Sequence, residues 1–221
     1  MFSFNPVRQL AEVPPHPLVS LGVSTDLIRE AMYTPFSRAQ MHTQMAPAGS
    51  RGGTFYHCGM ESLHEHLSRE GWSMPRILGQ PRIVHPQNSA ALVVRSAIGL
   101  VSSVTGRGVR TAHPAGPALM QGVACNDAVQ PALFGDSGRK GDNEGAMGPE
   151  LAPLWVVLHE LTEAGCYLAL ARPVGCARDG VVDQWEDFLP LEPILVASLV
   201  ASGLTDETEE EFHVPVRRRS E

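Results

Sequence analysis

The sequence predicts an α+β fold, mixed and loop-rich, with a C-terminal antiparallel β-meander packed by short helices. Hydrophobic residues make up 43% of the 221-residue chain and charged residues 19%, a balance typical of globular proteins. The 21 glycines and 18 prolines exceed average usage and indicate many turns. The stretches WVVLHEL and CYLALARPV flank a short turn at residues 162–165, which is the pattern of a β-hairpin.

The first elements are an arm and a short helix. Residues 1–22 are rich in proline and predict an extended N-terminal arm. Residues 24–33 predict a helix, because Ser24 or Thr25 can cap its amino end and Asp26 lies in its first turn, where the helix dipole favours a negative charge. The glycine and proline content of residues 45–53 indicates a loop.

A second helix is predicted over residues 60–70. Met60, Leu63 and Leu67 recur at helical spacing, and Gly71 follows where a C-cap glycine is common. The helix is therefore amphipathic, with one apolar face.

This segment raises the question of a metal site, since three histidines and a cysteine lie within ten residues. On a helix His64 and His66 point to nearly opposite sides, because two positions correspond to about 200° around the axis. His57 and Cys58 are chain neighbours and would need ligands from elsewhere in the chain. We therefore predict no metal site, with polar histidines on a solvated helix.

The centre of the chain predicts one buried strand, or two, over residues 90–103, which are rich in β-branched side chains. Arg95 would then be a buried or edge charge that needs a partner. A glycine-containing loop with Arg107 and Arg110 follows, and a helix is predicted to begin at Pro117. This order resembles the outline of a phosphate-binding arrangement around Gly106, but it matches no nucleotide-binding motif, so a plain turn is the preferred interpretation.

The C-terminal half predicts a three-stranded meander over residues 154–160, 166–173 and 181–189. Trp155, Val157 and Leu161 are expected to pack against Leu168 and Leu170 on one face. The apolar residues 194–202 predict a helix or strand that covers the sheet.

Composition divides the chain into five regions. The glycine-rich segment FGDSGRKGDNEGAMGP predicts a flexible loop or linker, and the charged C-terminal end predicts an exposed tail. The regions are the arm at 1–22, an Arg/His-rich α+β region at 23–134, the glycine-rich loop at 135–149, an acidic β-meander region at 150–204 and the tail at 205–221.

Candidate catalytic residues are few. Cys125 with His113 and Asp127 could form a nucleophile site, and His57 is a further candidate. Proximity in the chain is little support for such a site, because hydrolases of this kind assemble their partners in space. A buried structural cysteine is the preferred interpretation, and no cofactor is predicted.

The charge is uneven along the chain. Residues 1–120 carry ten arginines against six acids, and the remainder carries seven basic residues against eighteen acids, for a net charge of −7. Arginine suits bidentate contact with phosphate, although a GC-rich genome produces the same bias. The candidate nucleic-acid contacts are Arg51, Arg76, Arg82, Arg107, Arg110, Arg139 and Lys140.

The chain shows no signal-peptide core, and its longest apolar run falls well short of the ~20 residues that span a bilayer. Four widely spaced cysteines are not a disulfide framework and are typical of reduced thiols in a cytoplasm. We expect a cytoplasmic protein without membrane contact.

No motif identifies a family, and three functions stay open. The preferred hypothesis is a non-enzymatic accessory or assembly subunit of a bacterial-type intracellular complex, with other protein subunits, and RNA or DNA, as partners. The second is a hydrolase or nucleotide-using enzyme built around His57, His64, Cys125 or the Gly106 loop. The third is a protein–protein interaction module without a nucleic-acid role. An enzyme should hold polar residues in a deep pocket, whereas a binding protein should show a flat basic or apolar patch.

Overall fold

The computed structural model describes residues 17–129 and 148–201. Most of the predicted arm and glycine-rich loop, and the whole tail at 205–221, lie outside these ranges. The last part of the arm does not continue as extended chain, because Pro17–Leu21 forms a 3-10 helix and Leu18 is buried in the core.

Four helices and eight strands follow one another in the described ranges, with a second 3-10 helix, Pro149–Leu151, before β6. The helices are α1 (Thr25–Gln40), α2 (Ser50–Ser68), α3 (Pro117–Val129) and α4 (Val196–Ala201). The strands are β1 (Arg76–Ile77), β2 (Gln80–Pro81), β3 (Ile83–Val84), β4 (Ala91–Ile98), β5 (Arg110–Thr111), β6 (Leu154–Leu161), β7 (Gly165–Cys176) and β8 (Val182–Leu195). No helix in these ranges has the length and apolar character needed to cross a bilayer.

Six strands form one mixed sheet in the order β3-β4-β6-β7-β8, and β5 pairs with β4 outside this path. β4 and β6 are parallel, and β6, β7 and β8 form an antiparallel meander. The α+β fold with a C-terminal antiparallel meander is therefore confirmed. β4 belongs to the predicted Arg/His-rich region and β6 to the predicted acidic region, so the described parts of both contribute to one sheet.

Helices cover both faces of the sheet. α1 and α2 pack on one face, where Leu92 and Val94 of β4 join Trp155, Val157 and Leu168 in a buried cluster. Helix α3 packs on the other face, against alternate residues such as Val93 and Val156. This alternation follows from the two-residue period of a strand, and it makes β4 and β6 the centre of the protein.

Two helices are longer than predicted. Ser24 caps α1 as predicted, with its Oγ accepting a hydrogen bond from the Leu27 amide, but the helix continues beyond Pro35 to Gln40. Phe36 is fully buried, and its packing offsets the backbone hydrogen bond that proline cannot make.

Helix α2 begins at Ser50, ten residues before the predicted start, so the predicted loop at 45–53 is wrong in its second half. Phe55 accounts for the difference, because it is fully buried and its ring stacks on His159 of β6 at 4.1 Å between centroids. That contact outweighs the cost of Gly52 and Gly53 in a helix, about 1 kcal/mol each relative to alanine.

Candidate functional site

The structure does not bring the predicted catalytic residues together. Cys125 lies on α3 about 12 Å along the axis from Pro117, and His113 precedes that helix. Asp127 is two positions from Cys125 and so points to a different side of the helix. His57 is exposed on α2, which packs on the opposite face of the sheet. No hydrogen bond joins any two of these side chains in the described ranges.

The histidine-rich helix does not form a ligand cluster. The His66 Nδ1 donates to the Ser62 carbonyl at 2.8 Å, which fixes this ring along its own helix. Within the described ranges there is no group of three or more histidine, cysteine, aspartate or glutamate side chains that could hold a metal ion. The absence of a metal site stays a prediction, which metal analysis of the purified protein tests.

The Gly106 loop packs against the meander instead of leaving room for a phosphate. A Cβ on Gly106 would lie 2.7 Å from the Phe188 ring, and the positive φ of +79° also favours glycine there. The Val109 carbonyl accepts a hydrogen bond from the Trp185 indole, and Thr111 Oγ1 accepts one from the Val182 amide. The backbone of this segment is therefore used for folding.

The arginines predicted to contact nucleic acid do not share one surface. Arg82 is wrong as a surface contact, since it is fully buried and one guanidinium nitrogen donates to the Ala118 carbonyl. Burial lowers the pKa of Arg82. Arg110 forms an ion pair with Asp179 at 3.1 Å and so faces the acidic half. Arg139 and Lys140 lie outside the described residues.

Arg76 and Arg107 are both exposed and lie on separate segments. Arg76 belongs to the β1–β2 hairpin, which precedes β3. Arg107 lies in the loop that follows the end of β4. Because Arg82 is buried and Arg110 is in an ion pair, the predicted continuous basic surface lacks two of its predicted members.

An open groove of about 1010 Å³ runs between α1 and α2 on the side away from the sheet. Its lining carries five carboxylates and only two guanidinium groups. Arg38 donates to the Cys58 sulfur at 3.6 Å, and this contact raises the pKa of Arg38. Among the described residues, no hydrogen bond joins the Cys58 thiol to a histidine, which is the base that commonly activates a catalytic thiol.

His159 is the most unusual buried polar group of the structure. Its side chain is 2% exposed, and neither ring nitrogen has a hydrogen-bond partner among the described residues. Burial lowers the pKa of His159 from 6.5 to about 3, so the ring is neutral at pH 7. Because the ring lies between the sheet and α2, we assign it to the core rather than to a site.

The most distinctive surface lies where β4, β6 and β8 all end. We call it the loop end and define it as residues 41–51, 98–109, 160–165 and 195. Helix α2 begins here: Phe55 stacks on His159, whose strand partner is Ser96, so the first residues of α2 lie beyond the end of β4. Leu195 belongs to the loop end because it pairs with Gly165, directly after the β6–β7 turn.

Large apolar side chains are concentrated and exposed at the loop end. Met45 is 92% exposed and Val104 is 76% exposed. Of the large apolar side chains that the described residues expose, six lie here: Met41, Met45, Ile98, Val101, Val104 and Leu195.

The loop that carries Val101 and Val104 is held in place by a carboxylate contact. Glu160 Oε2 accepts hydrogen bonds from the Leu100 amide at 2.6 Å and the Val101 amide at 3.2 Å. Gly99 closes the base of the loop, since a Cβ there would lie 2.8 Å from the Gly108 carbonyl oxygen. The exposed valines are therefore presented on a fixed backbone.

The α1–α2 connection is also fixed by polar contacts. Arg51 Nη2 donates to Gln40 Oε1 at 2.7 Å, and His42 Nε2 lies 2.7 Å from Thr54 Oγ1. Both contacts bridge the end of α1 to the start of α2. Met41 and Met45 project from a connection that is anchored on both sides.

The loop end has no net formal charge, because it contains two arginines, Arg51 and Arg107, and two glutamates, Glu160 and Glu163. Arg51 and Arg107 have no carboxylate partner among the described residues, and the same holds for Arg95, three residues before Ile98. Burial lowers the pKa of Arg95, and the neighbouring Tyr56 opposes this shift. The Glu160 carboxylate is bound by backbone amides, which leaves Glu163 as the free acid of this surface.

The sequence contains a signal for this surface that motif searching misses. Residues 31–60 and 71–126 contain no aspartate or glutamate, yet they carry seven arginines. Most of the loop end comes from these two acid-free stretches. The signal is therefore the absence of acidic residues over these two stretches, and no sequence motif accompanies it.

The chain matches no protein-family model, and no curated protein or solved structure shows significant similarity to it.

Proposed function

We propose that this protein is a non-enzymatic assembly subunit that binds a protein partner through the loop end. The observation that carries the proposal is the collection of six exposed aliphatic side chains at one end of the sheet. Exposed apolar side chains gathered at one end of a protein are typical of interaction surfaces, and methionine and arginine are enriched in protein interfaces. The four cysteines are all free thiols, which supports a reducing, cytoplasmic compartment for this complex.

The enzyme hypothesis has less support. The predicted nucleophile, base and acid lie on different sides of α3 and of the sheet, and the α1–α2 groove holds no thiol–imidazole pair. A catalytic base must come within hydrogen-bond reach of its nucleophile, directly or through one water.

A protein partner is also better supported than nucleic acid. Contact with a phosphate backbone needs several arginines on one surface, and single-stranded nucleic acid is bound by exposed aromatic rings. Arg82 lies in the core and Arg110 is in an ion pair, and the large apolar side chains exposed at the loop end are all aliphatic.

Co-purification from the native host tests the proposal. Tagged full-length protein is compared with the double variant Met45→Asp/Val104→Asp, whose sites are exposed, so that folding should be preserved. The matched control is Leu151→Asp, because Leu151 is 46% exposed just before β6 begins, at the opposite end of the sheet.

We expect one partner protein to co-purify in constant ratio with the wild type and with the Leu151 variant, and to be lost from the double variant. A protein that purifies alone, or a partner that the double variant retains, would contradict the proposed function.

A further inference from the structure

We propose that the groove between α1 and α2 binds the arginine-rich end of this same chain, the three consecutive arginines at residues 217–219. These arginines belong to the tail outside the described ranges. The groove shares no residue with the loop end, so this inference does not rest on the proposed function.

The first step of the argument is the charge of the groove. Five carboxylates and two guanidinium groups line it, which leaves a formal charge of −3. All five carboxylates are exposed, and none has an ion-pair partner among the described residues. They are Asp26 and Glu30 on α1, Glu61 and Glu65 on α2, and Glu70 just beyond the end of α2. Three arginines supply the opposite charge.

The second step is the spacing of these carboxylates. Asp26 and Glu30 are four positions apart, as are Glu61 and Glu65, so each pair forms a row along its helix with Cβ atoms about 5–6 Å apart. Among the described residues no three acidic, histidine or cysteine side chains converge on one point where a metal ion could bind. The carboxylates are therefore spread along the groove, which suits an extended cationic segment.

An extended segment matches the two rows. Its successive side chains point to opposite sides, and side chains two positions apart are separated by about 6.5 Å. Arg217 and Arg219 can therefore reach the row on one helix while Arg218 reaches the row on the other. Guanidinium groups form charge-assisted hydrogen bonds with carboxylates, and these are stronger than neutral ones.

The third step is the place where the chain leaves the described structure. Helix α4 ends at Ala201 and lies against α1, since the Tyr33 hydroxyl donates to the Ser198 carbonyl at 2.9 Å. A second recess of about 510 Å³ is lined by Tyr33 and shares Asp26 and Glu30 with the groove. The tail therefore starts beside a surface that continues into the groove.

The chain is long enough to make this contact. Arg217 lies sixteen positions after Ala201, and an extended chain of that length spans up to about 50 Å. Helix α1, with 16 residues, is only about 24 Å long. Because the segment is tethered, its effective concentration is on the order of millimolar, so weak exposed ion pairs are sufficient. The five acids at residues 206–211 are the competing partners within the tail.

Zero-length crosslinking of the full-length chain tests the proposal. The variant Arg217→Lys/Arg218→Lys/Arg219→Lys keeps the charge and introduces amines into a chain that has one lysine, Lys140. A carbodiimide activates a carboxyl group, and a neighbouring amine then forms an amide with net loss of water. Peptide mapping by mass spectrometry identifies the joined residues, and mixing with 15N-labelled protein separates amides within one chain from amides between chains.

We expect amides within one chain that join residues 217–219 to Asp26, Glu30, Glu61 and Glu65, with a yield that falls as salt is raised. Adding Glu61→Gln/Glu65→Gln should lower the yield at Asp26 and Glu30 at least about threefold, because two of the paired charges are removed. The matched control is Glu150→Gln/Glu163→Gln, which removes two exposed carboxylates outside the groove and should leave that yield unchanged.

Three results would overturn the inference. The first is a set of amides confined to residues 206–211, which would show that the arginines pair within the tail. The second is an equal loss of yield in the groove variant and in its control. The third is groove amides found only between chains, which would identify a second copy as the source of the bound segment. The proposed function stands or falls separately, by co-purification through the loop end.

Discussion

His159 should make the stability of this protein sensitive to mild acid. Its imidazole is 2% exposed, lies against Phe55 and has no hydrogen-bond partner among the described residues for either nitrogen. Burial holds the pKa in the folded state at about 3, whereas the unfolded chain has the ordinary value of 6.5. Below pH 6.5 the His159 imidazole therefore binds a proton in the unfolded state and stays neutral in the folded state.

The sign and size of the effect follow from this difference. The stabilisation is fully present above pH 6.5 and is lost as the pH falls toward 3, at about 1.4 kcal/mol per pH unit. Between pH 7 and pH 5 His159 alone should lower the free energy of unfolding by about 2 kcal/mol.

Urea denaturation of the wild type and of His159→Leu at both pH values measures this contribution. Leucine has a similar volume and no polar atom, so the variant should be near wild-type stability at pH 7 and should lose about 2 kcal/mol less on acidification. His57→Leu, at an exposed position, should behave like the wild type. An equal loss in the wild type and in His159→Leu would refute the assignment of a neutral, buried imidazole.

Two further predictions concern the supports of the fold. Gly106→Ala should lower the free energy of unfolding in urea by about 1–3 kcal/mol, because the added Cβ would overlap the Phe188 ring. Gly79→Ala is the control, since Gly79 has a similar φ with open space around it, and the loss there should be smaller. A cost at Gly79 that equals the cost at Gly106 would show that the ring contact is unimportant. Asn126→Leu should lower the free energy of unfolding by at least about 3 kcal/mol. It removes a buried amide that accepts from the Leu154 N–H and donates to the Leu154 and Pro173 carbonyls. An unchanged melting temperature would contradict this.

Elements with a local pattern could be predicted from the sequence. The β6–β7 hairpin follows from alternating apolar residues around a four-residue turn, and α3 begins at Pro117 because proline suits the first helical position. Both signals lie within a few residues of the structure they specify.

Elements that depend on distant contacts could not be predicted in this way. The start of α2 is decided by Phe55 against His159, residues that lie in different halves of the chain. The parallel pairing of β4 with β6 joins residues about sixty positions apart, and the sequence of neither strand specifies which strand it pairs with. The burial of Arg82 could not be predicted for the same reason. Its guanidinium group contacts the Ala118 carbonyl of α3, and the number of charged residues in the sequence does not reveal this contact.

The loop end was missed because it is assembled from four separate segments. Met45, Val104 and Leu195 are unremarkable in their own contexts, and they become a surface only when the ends of three strands are aligned. The absence of acids over residues 71–126 is the part of this surface that the sequence does show.

Site-specific photo-crosslinking in the native host tests the central claim most directly. A photoreactive phenylalanine analogue is placed at Val104 or Met45 of the loop end, and at Leu151 as the matched position of the opposite end. The account predicts that both loop-end positions form a covalent adduct with the same protein and that position 151 does not. Adducts of equal yield from position 151, or crosslinking of the loop end to nucleic acid alone, would contradict it.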